Sequence, residues 1–403
     1  MSKLILNPNL VTTDPNSNVL LNKKTGERYE INEDIRSVLR EFRTQANPRK
    51  IAQTISKHEK NAYNNIFNFI NELKEIGLLI GPEHLPETQK NIDPTLCLLE
   101  RPMFTMFACP ICDLSMLNEL DIVFVGSTFD QGTTGFPGAR FAPDKLREIS
   151  SQAFEYHADP ISGKCLGWYN HEVKRNILEG VSMGDVGNIL QEIGEDYDKY
   201  YQRFTKVIAS IIEAGAFPVV IGGDHSISYP AIKGLNQHDV SVLHIDAHTD
   251  LGEYKTGIPN NHGNVFSRVI EEGLIDQLHQ FGIRSFAGKT PKISSKYTIS
   301  SVSDIRENKI SNVLGLLDLR KKYYLSIDID AIDPAFAPGT GTPVPNGLST
   351  DEVLKLVSTL CAKRCFVGFD IVEINPMLDQ NDMTSVLAIE LISHVLGEIF
   401  TYS

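Results

Sequence analysis

The sequence predicts an α/β protein: a doubly wound, mostly parallel sheet, with a small winged-helix-like α+β domain ahead of it. Two observations carry this. Four near-continuous apolar runs, at residues 217–221, 240–245, 323–327 and 365–369, stand apart with helix-length segments between them. Strands apolar on both faces belong to parallel sheets that helices cover on both sides. The first 80 residues read differently, as two short strands around a glycine turn and then three helical stretches. A chain of 403 residues is also long enough for two domains.

The small domain spans residues 1–80. Val19-Leu20-Leu21-Asn22 and Arg28-Tyr29-Glu30-Ile31 read as strands flanking a turn that contains Gly26. Asn32 is placed to cap a helix, with Glu33 and Asp34 in its first turn, where acids complement the dipole. Ile35, Val38, Leu39 and Phe42 then form one apolar stripe. Asn47-Pro48 opens a second helix, with Pro48 suited to the first position. A third runs from about Ala62 to Ile76 and stops at Gly77. Leu78-Leu79-Ile80 closes the domain.

Leu20-Leu21, Thr25-Gly26, Tyr29-Glu30-Ile31-Asn32, Phe69 to Leu73 and Gly77-Leu78-Leu79 together resemble the leader-peptide recognition domain of ribosomal-peptide modifying systems, the family of the pyrroloquinoline-quinone peptide chaperone. The resemblance covers about a fifth of the chain. It implies that residues 1–80 bind the leader of a precursor peptide by adding it as a strand to the sheet. The other reading is a packing or oligomerisation appendage, since fold does not dictate function.

Residues 81–119 are expected to link the domains, with Pro82, Pro86 and Pro94 among polar residues. They contain Cys109-Pro110-Ile111-Cys112. With Cys97 and Cys165 this pair could make a four-thiolate zinc site, although one Cys-x-x-Cys alone more often means reduced thiols in a connector.

The main domain is expected over residues 120–403. Asp121 to Gly126 reads as a strand, residues 132–143 as a Gly/Pro-rich loop, Asp144 onward as a helix, and Tyr200 to Ala214 as a long helix. Each of the four apolar runs gives way to polar sequence: Gly222-Gly223-Asp224-His225-Ser226, Asp246-Ala247-His248-Thr249-Asp250, Asp328-Ile329-Asp330, and Asp370-Ile371-Val372-Glu373. In open α/β sheets the site lies beyond the carboxyl ends of the strands. Asp328 and Asp330, two apart, leave a strand end on the same side, and buried carboxylates are costly unless they hold a cation.

His225, Asp246, His248, Asp250, Asp328 and Asp330 offer four carboxylates and two imidazoles. Such a mainly oxygen donor set suits Mn²⁺, with iron or nickel as competitors. Four carboxylates exceed the needs of one divalent ion, and shared carboxylates hold two ions close together.

GGDHS, DAHTD and SIDIDAIDP, followed by Gly339-Thr340-Gly341-Thr342-Pro343 and Gly347-Leu348-Ser349, closely resemble the arginase/agmatinase (ureohydrolase) family across residues 120–400. The resemblance implies an arginase-like α/β fold, two Mn²⁺ ions, hydrolysis of guanidino C–N bonds with release of urea, and assembly into homo-oligomers. It implies that His225 and Asp250 bind one ion, that His248 and Asp330 bind the other, and that Asp246 and Asp328 bridge both. By the same resemblance Glu373 receives the guanidinium group, His262 shuttles protons, and Asp250 passes one to the leaving amine. A carboxylate suits the guanidinium fork, and a histidine titrates near operating pH.

The chain departs from free-arginine enzymes of that family. Gly282-Ile283-Arg284 is followed by Ser285-Phe286-Ala287-Gly288, with no carboxylate for a substrate α-amine, and residues 251–261 lack a Thr/Ser-rich pattern for its carboxylate. Joined to the N-terminal resemblance, this leads to the expectation of an enzyme converting arginines of a ribosomal precursor peptide to ornithine. The alternative is a small-molecule ureohydrolase with an N-terminal oligomerisation domain.

The totals exclude other classes. A net charge of −13 argues against a nucleic-acid surface. No apolar run has membrane-spanning length, and Pro8 breaks the apolar start, which makes a poor secretory signal. Six cysteines suggest no disulfide framework, so a cytoplasmic location is expected.

Overall fold

The computed structural model describes residues 4–7, 10–12, 19–22, 28–40, 42, 46–56, 62–81, 99–153, 158, 164–192, 194–237, 239–253, 260–286, 295–307, 314–315, 317–362 and 364–400. The turn at Thr25-Gly26, the three linker prolines, Cys97, Ala287-Gly288 and residues 254–259 lie outside this set. The chain divides into two compact units. One comprises residues 1–96 with 110–118, and the other residues 97–109 with 119–403.

The first unit holds β1 (Ile5–Leu6), β2 (Leu10–Thr12), β3 (Val19–Asn22), β4 (Arg28–Glu30), α1 (Glu33–Arg40), α2 (Pro48–Ile55), α3 (Ala62–Glu75) and β5 (Leu79–Ile80). β2, β3 and β4 form an antiparallel sheet in that order, and β1 pairs with β5. The helix boundaries follow the local chemistry. The Asn32 side chain accepts the Ile35 N–H at 2.9 Å, and that of Asn47 accepts the Arg49 N–H ahead of Pro48. Gly77, at φ +80°, ends α3 in the left-handed region that favours glycine. Leu20, Ile31, Val38, Leu39, Phe42, Ile70, Leu73 and Leu79 form its core.

The second unit is built on a nine-stranded sheet. Its elements in chain order are β6 (Leu99–Glu100), β7 (Ile122–Ser127), α4 (Ala142–Ala153), the hairpin β8 (Trp168–Asn170) and β9 (Arg175–Ile177), β10 (Met183–Ile189), α5 (Tyr197–Glu213), β11 (Phe217–Ile221), α6 (Ser228–Gly234), β12 (Val240–Ile245), α7 (Val265–Glu271), β13 (Leu278–Ile283), β14 (Tyr297–Ser301), α8 (Val302–Arg306), β15 (Lys322–Asp328), α9 (Thr350–Cys361), β16 (Cys365–Val372) and α10 (Met383–Ile399). The sheet order is β14-β13-β12-β15-β16-β11-β7-β10-β6. Every pairing is parallel except that of β10 with the edge strand β6. Residues 99–100, placed in a linker by the sequence, are therefore a strand of this sheet.

β7, β11 and β12 are buried at every position, so the sheet is covered on both faces. The helices pack in two groups, α4 with α9 and α10, and α5 with α6 and α7. Helix α5 starts three residues before Tyr200 because the Asp196 side chain caps it. The four apolar runs of the sequence are the adjacent strands β12, β15, β16 and β11. Their polar ends are thus brought side by side. Among the described residues no helix is long and apolar enough to cross a membrane.

Candidate metal centre

Beyond β11 the chain must turn sharply against a neighbouring segment. A Cβ on Gly223 would sit 1.6 Å from the Phe129 carbonyl oxygen, so only glycine fits there. Asp224 then accepts the N–H groups of Ser226 at 2.9 Å and Gly132 at 2.6 Å, which fixes the turn that presents His225. Beyond β12, Asp246 Oδ1 accepts the His248 N–H at 2.5 Å, and Asp250 sits at φ +49°. Beyond β15, Asp328 Oδ1 accepts the Asp330 N–H at 2.8 Å and caps a short turn over Ile329–Ala331. Beyond β16, Glu373 sits at φ +62°. Left-handed backbone at Asp250 and Glu373 is strain that only a well-fixed surrounding sustains, and such strain gathers at functional sites.

These four turns bring together all the predicted ligands. His225 Nδ1 lies 3.1 Å from Asp246 Oδ2, 3.0 Å from Asp250 Oδ2 and 3.2 Å from Asp328 Oδ2. His248 Nδ1 lies 3.0 Å from Asp330 Oδ2 and 3.6 Å from Asp246 Oδ1. Asp246 thus offers one oxygen to each imidazole, as a bridging carboxylate would. Asp328 turns Oδ2 to His225 and, like Asp246, takes a following backbone N–H, that of Asp330, on Oδ1.

The donor set fits divalent cations. His225 Nε2 is 3.0 Å from the Ser326 hydroxyl, which donates to Asp370 at 2.6 Å. A ring that donates at Nε2 leaves a lone pair at Nδ1. In the neutral ring that lone pair faces three carboxylate oxygens, which against the cost of burial raise the ring's pKa well above its ordinary value, so positive charge belongs at this nitrogen, as a proton or as a bound cation. The pKa values carry the same message. Burial, with Asp330 and Asp246 close by, drives Asp328 well above the usual carboxylate range, and burial with Asp246 pushes Asp330 up to about 6. Burial opposes charge on Asp246 too, but His244, His225 and His248 hold it well below its ordinary value. Carboxylates crowded this closely cannot all ionise without positive charge between them.

Glu373 and His262 lie alongside. Glu373 Oε1 accepts the His225 N–H at 2.9 Å and contacts His262 Nδ1 at 3.0 Å. The Thr134 N–H points at His262 Nε2 from 3.0 Å, and the Thr134 hydroxyl is 2.7 Å from the same nitrogen. The amide requires an unprotonated Nε2. Burial also resists a second proton, yet Glu373, Asp250 and Asp224 pull the ring's pKa up to about 9. Thr134 is exposed, so the His262 ring joins a buried carboxylate to the surface.

Several neighbours escaped the sequence reading. His244 belongs to the same cluster as His225, Asp246 and Asp250. It lies two residues before Asp246 on β12, and that alternation was the signal that could have found it. Arg284 donates to the carbonyls of Asp330 at 2.7 Å, Ala331 at 3.1 Å and Val344 at 2.6 Å, which ties the turn carrying Asp330 to the loop beyond it. Ser285 and the fully exposed Phe286 follow it, and no acid is there. Cys109, Cys112 and Cys165 are buried, and among the described residues no three thiols converge as metal ligands.

A sequence model described as the Arginase family matches residues 120–397. The human mitochondrial guanidino acid hydrolase is 32% identical over 73% of this chain and 84% of its own length. The agmatinase of Proteus mirabilis is 34% identical over 67% of this chain and 84% of its own. Among solved structures, the proclavaminate amidino hydrolase of Streptomyces clavuligerus superposes with a TM-score of 0.60 at 28% identity, covering 70% of this chain and 92% of that one.

Proposed function

Because the chain belongs to the arginase family, whose members hydrolyse C–N bonds of amidines, we propose that it releases urea from guanidino compounds that lack a free α-amino acid head. The observation that carries this is the pair of imidazole nitrogens, each set among carboxylates and sharing Asp246, with Glu373 beside them. The first candidates are small molecules. The curated relatives are named agmatinase and guanidino acid hydrolase, and no acid follows Gly282-Ile283-Arg284 to hold a substrate amine.

In this reading His225, Asp246, His248, Asp250, Asp328 and Asp330 hold two divalent cations, manganese first by donor type. Bound there, the cations supply Lewis acidity and a nucleophilic water at neutral pH. Glu373 commits Oε1 to the His225 N–H and to His262, and its other oxygen is the partner for the guanidinium fork. That contact orients the guanidinium carbon toward the cluster. Asp250 is placed to take up the proton that the attacking water gives up and to pass it to the departing amine. His262, held between Glu373 and the exposed Thr134 hydroxyl, is placed to relay protons between the cluster and the surface.

One observation favours a second reading, arginine side chains within a precursor peptide. The family match starts at residue 120, whereas residues 1–96 belong to a separate unit with its own antiparallel sheet and core. A small sheet can take up an extended peptide as an added strand and raise its local concentration.

The test is urea release by the full-length protein with Mn²⁺. Agmatine, guanidinobutyrate, free arginine and arginine-bearing peptides with and without a leader segment serve as substrates. Turnover of the small compounds well above that of free arginine supports the first reading. A kcat/KM that rises at least tenfold when a leader is attached supports the second. Absence of urea from every substrate rejects both.

A further inference from the structure

His244 and Gln280 face each other in register across the neighbouring strands β12 and β13. Both are fully buried, as is Asp246. Gln280 Nε2 lies 2.6 Å from the Thr249 carbonyl oxygen and 2.8 Å from His244 Nδ1. A carbonyl oxygen only accepts, so the NH₂ end of the amide faces this pair and His244 accepts at Nδ1. A neutral imidazole that accepts at Nδ1 carries its proton at Nε2. His244 Nε2 is 2.7 Å from Asp246 Oδ2, so the ring donates there. A nitrogen that carries a proton has no lone pair for a cation. His244 therefore sits inside the ligand cluster without being able to ligate through that atom.

We propose that Gln280 and His244 are positioning residues for the metal pair: Gln280 fixes the His244 tautomer, and His244 fixes the Asp246 carboxylate. Asp246 is then held from two directions, by the His244 N–H on Oδ2 and by the His248 backbone N–H on Oδ1. Its plane is set so that one oxygen faces His225 and the other His248. Phe266, 4.4 Å from the His244 ring centre, keeps the imidazole from turning away. Partners that orient a ligating group in this way typically change metal affinity about 10- to 100-fold when removed.

The inference rests on the metal reading above, and the experiment separates the two. The full-length protein is stripped with chelator, and Mn²⁺ alone is titrated in by calorimetry, with thermal melting in chelator as the control for folding. Wild type is expected to bind two Mn²⁺ per chain. A wild type that binds none removes the metal reading itself. His244→Phe keeps the ring and loses the donor. Its expected result is Mn²⁺ binding about 10- to 100-fold weaker with the chelator melting point preserved. His244→Gln, which returns an N–H near the Nε2 position, is expected to recover most of that loss. Wild-type affinity in His244→Phe overturns the inference, as does an equal loss in both variants. If His244→Phe does not fold, Gln280→Met decides: about tenfold weaker binding supports the tautomer argument, and unchanged binding overturns it.

Discussion

At the scale of single residues, the account turns on imidazoles and carboxylates packed so closely that positive charge must sit among them. His225 Nδ1 faces three carboxylates while Ser326 holds the opposite nitrogen. Glu373 is the clearest separate test, because it touches His225 only through a backbone N–H. Glu373→Gln preserves shape and one acceptor but loses the charge for the guanidinium. Removing one partner of a buried charged pair costs about 2–5 kcal/mol, so kcat/KM should fall by roughly 30-fold to several thousand-fold while Mn²⁺ content stays at the wild-type level. Metal analysis beside urea kinetics checks both halves. Away from the site, burial and the nearby Lys321 push His279 down to about 4 from an ordinary 6.5. Below pH 6.5 the unfolded chain therefore takes up a proton that the folded chain refuses until about pH 4, so this group removes stability as pH falls through that window. His279→Gln should flatten that part of the acid limb, as read by denaturant unfolding at pH 7, 5.5 and 4.5. The six ligands were legible because each stands just past an apolar run. His244 and Gln280 were not, because they lie within or beside such runs and only the strand register reveals their pairing.

At the scale of elements, legibility followed hydrophobic continuity. β11, β12, β15 and β16 are built on near-continuous apolar runs and were found within a few residues at each end. β10 was missed. Its sequence Met-Gly-Asp-Val-Gly-Asn-Ile carries little strand propensity, and its buried Asp185 is resolved by a partner on α4. Arg147, fully buried, donates to Asp185 through Nε at 2.9 Å and through a terminal nitrogen at 3.0 Å, and it also reaches Asn188. Sequence periodicity does not disclose an ion pair between a helix and a strand far apart in the chain. Arg147→Met leaves Asp185 as an uncompensated buried charge and should cost about 3–5 kcal/mol. Denaturant unfolding measures it, and a loss below about 1 kcal/mol would show the pair to be dispensable. Residues 99–100 escaped for another reason. A two-residue edge strand has no period to read, and it is defined only by pairing with β10.

At the scale of the whole molecule, the sheet order converts sequence into a site. β12, β15, β16 and β11 are neighbours although their order in the chain is β11, β12, β15, β16. Topology alone therefore gathers His225, Asp246, His248, Asp250, Asp328, Asp330 and Glu373 from segments about 150 residues apart. The class of chemistry was legible from those motifs, while the substrate was not, because it is set by what surrounds the guanidinium and not by the cluster that attacks it. The most direct test is anomalous diffraction at the manganese edge on crystals of the full-length protein grown with Mn²⁺. Two peaks are predicted per chain, one against His225 Nδ1 and Asp250, the other against His248 Nδ1 and Asp330, with Asp246 between them. No peak there, or peaks bound elsewhere in the chain, would contradict the account.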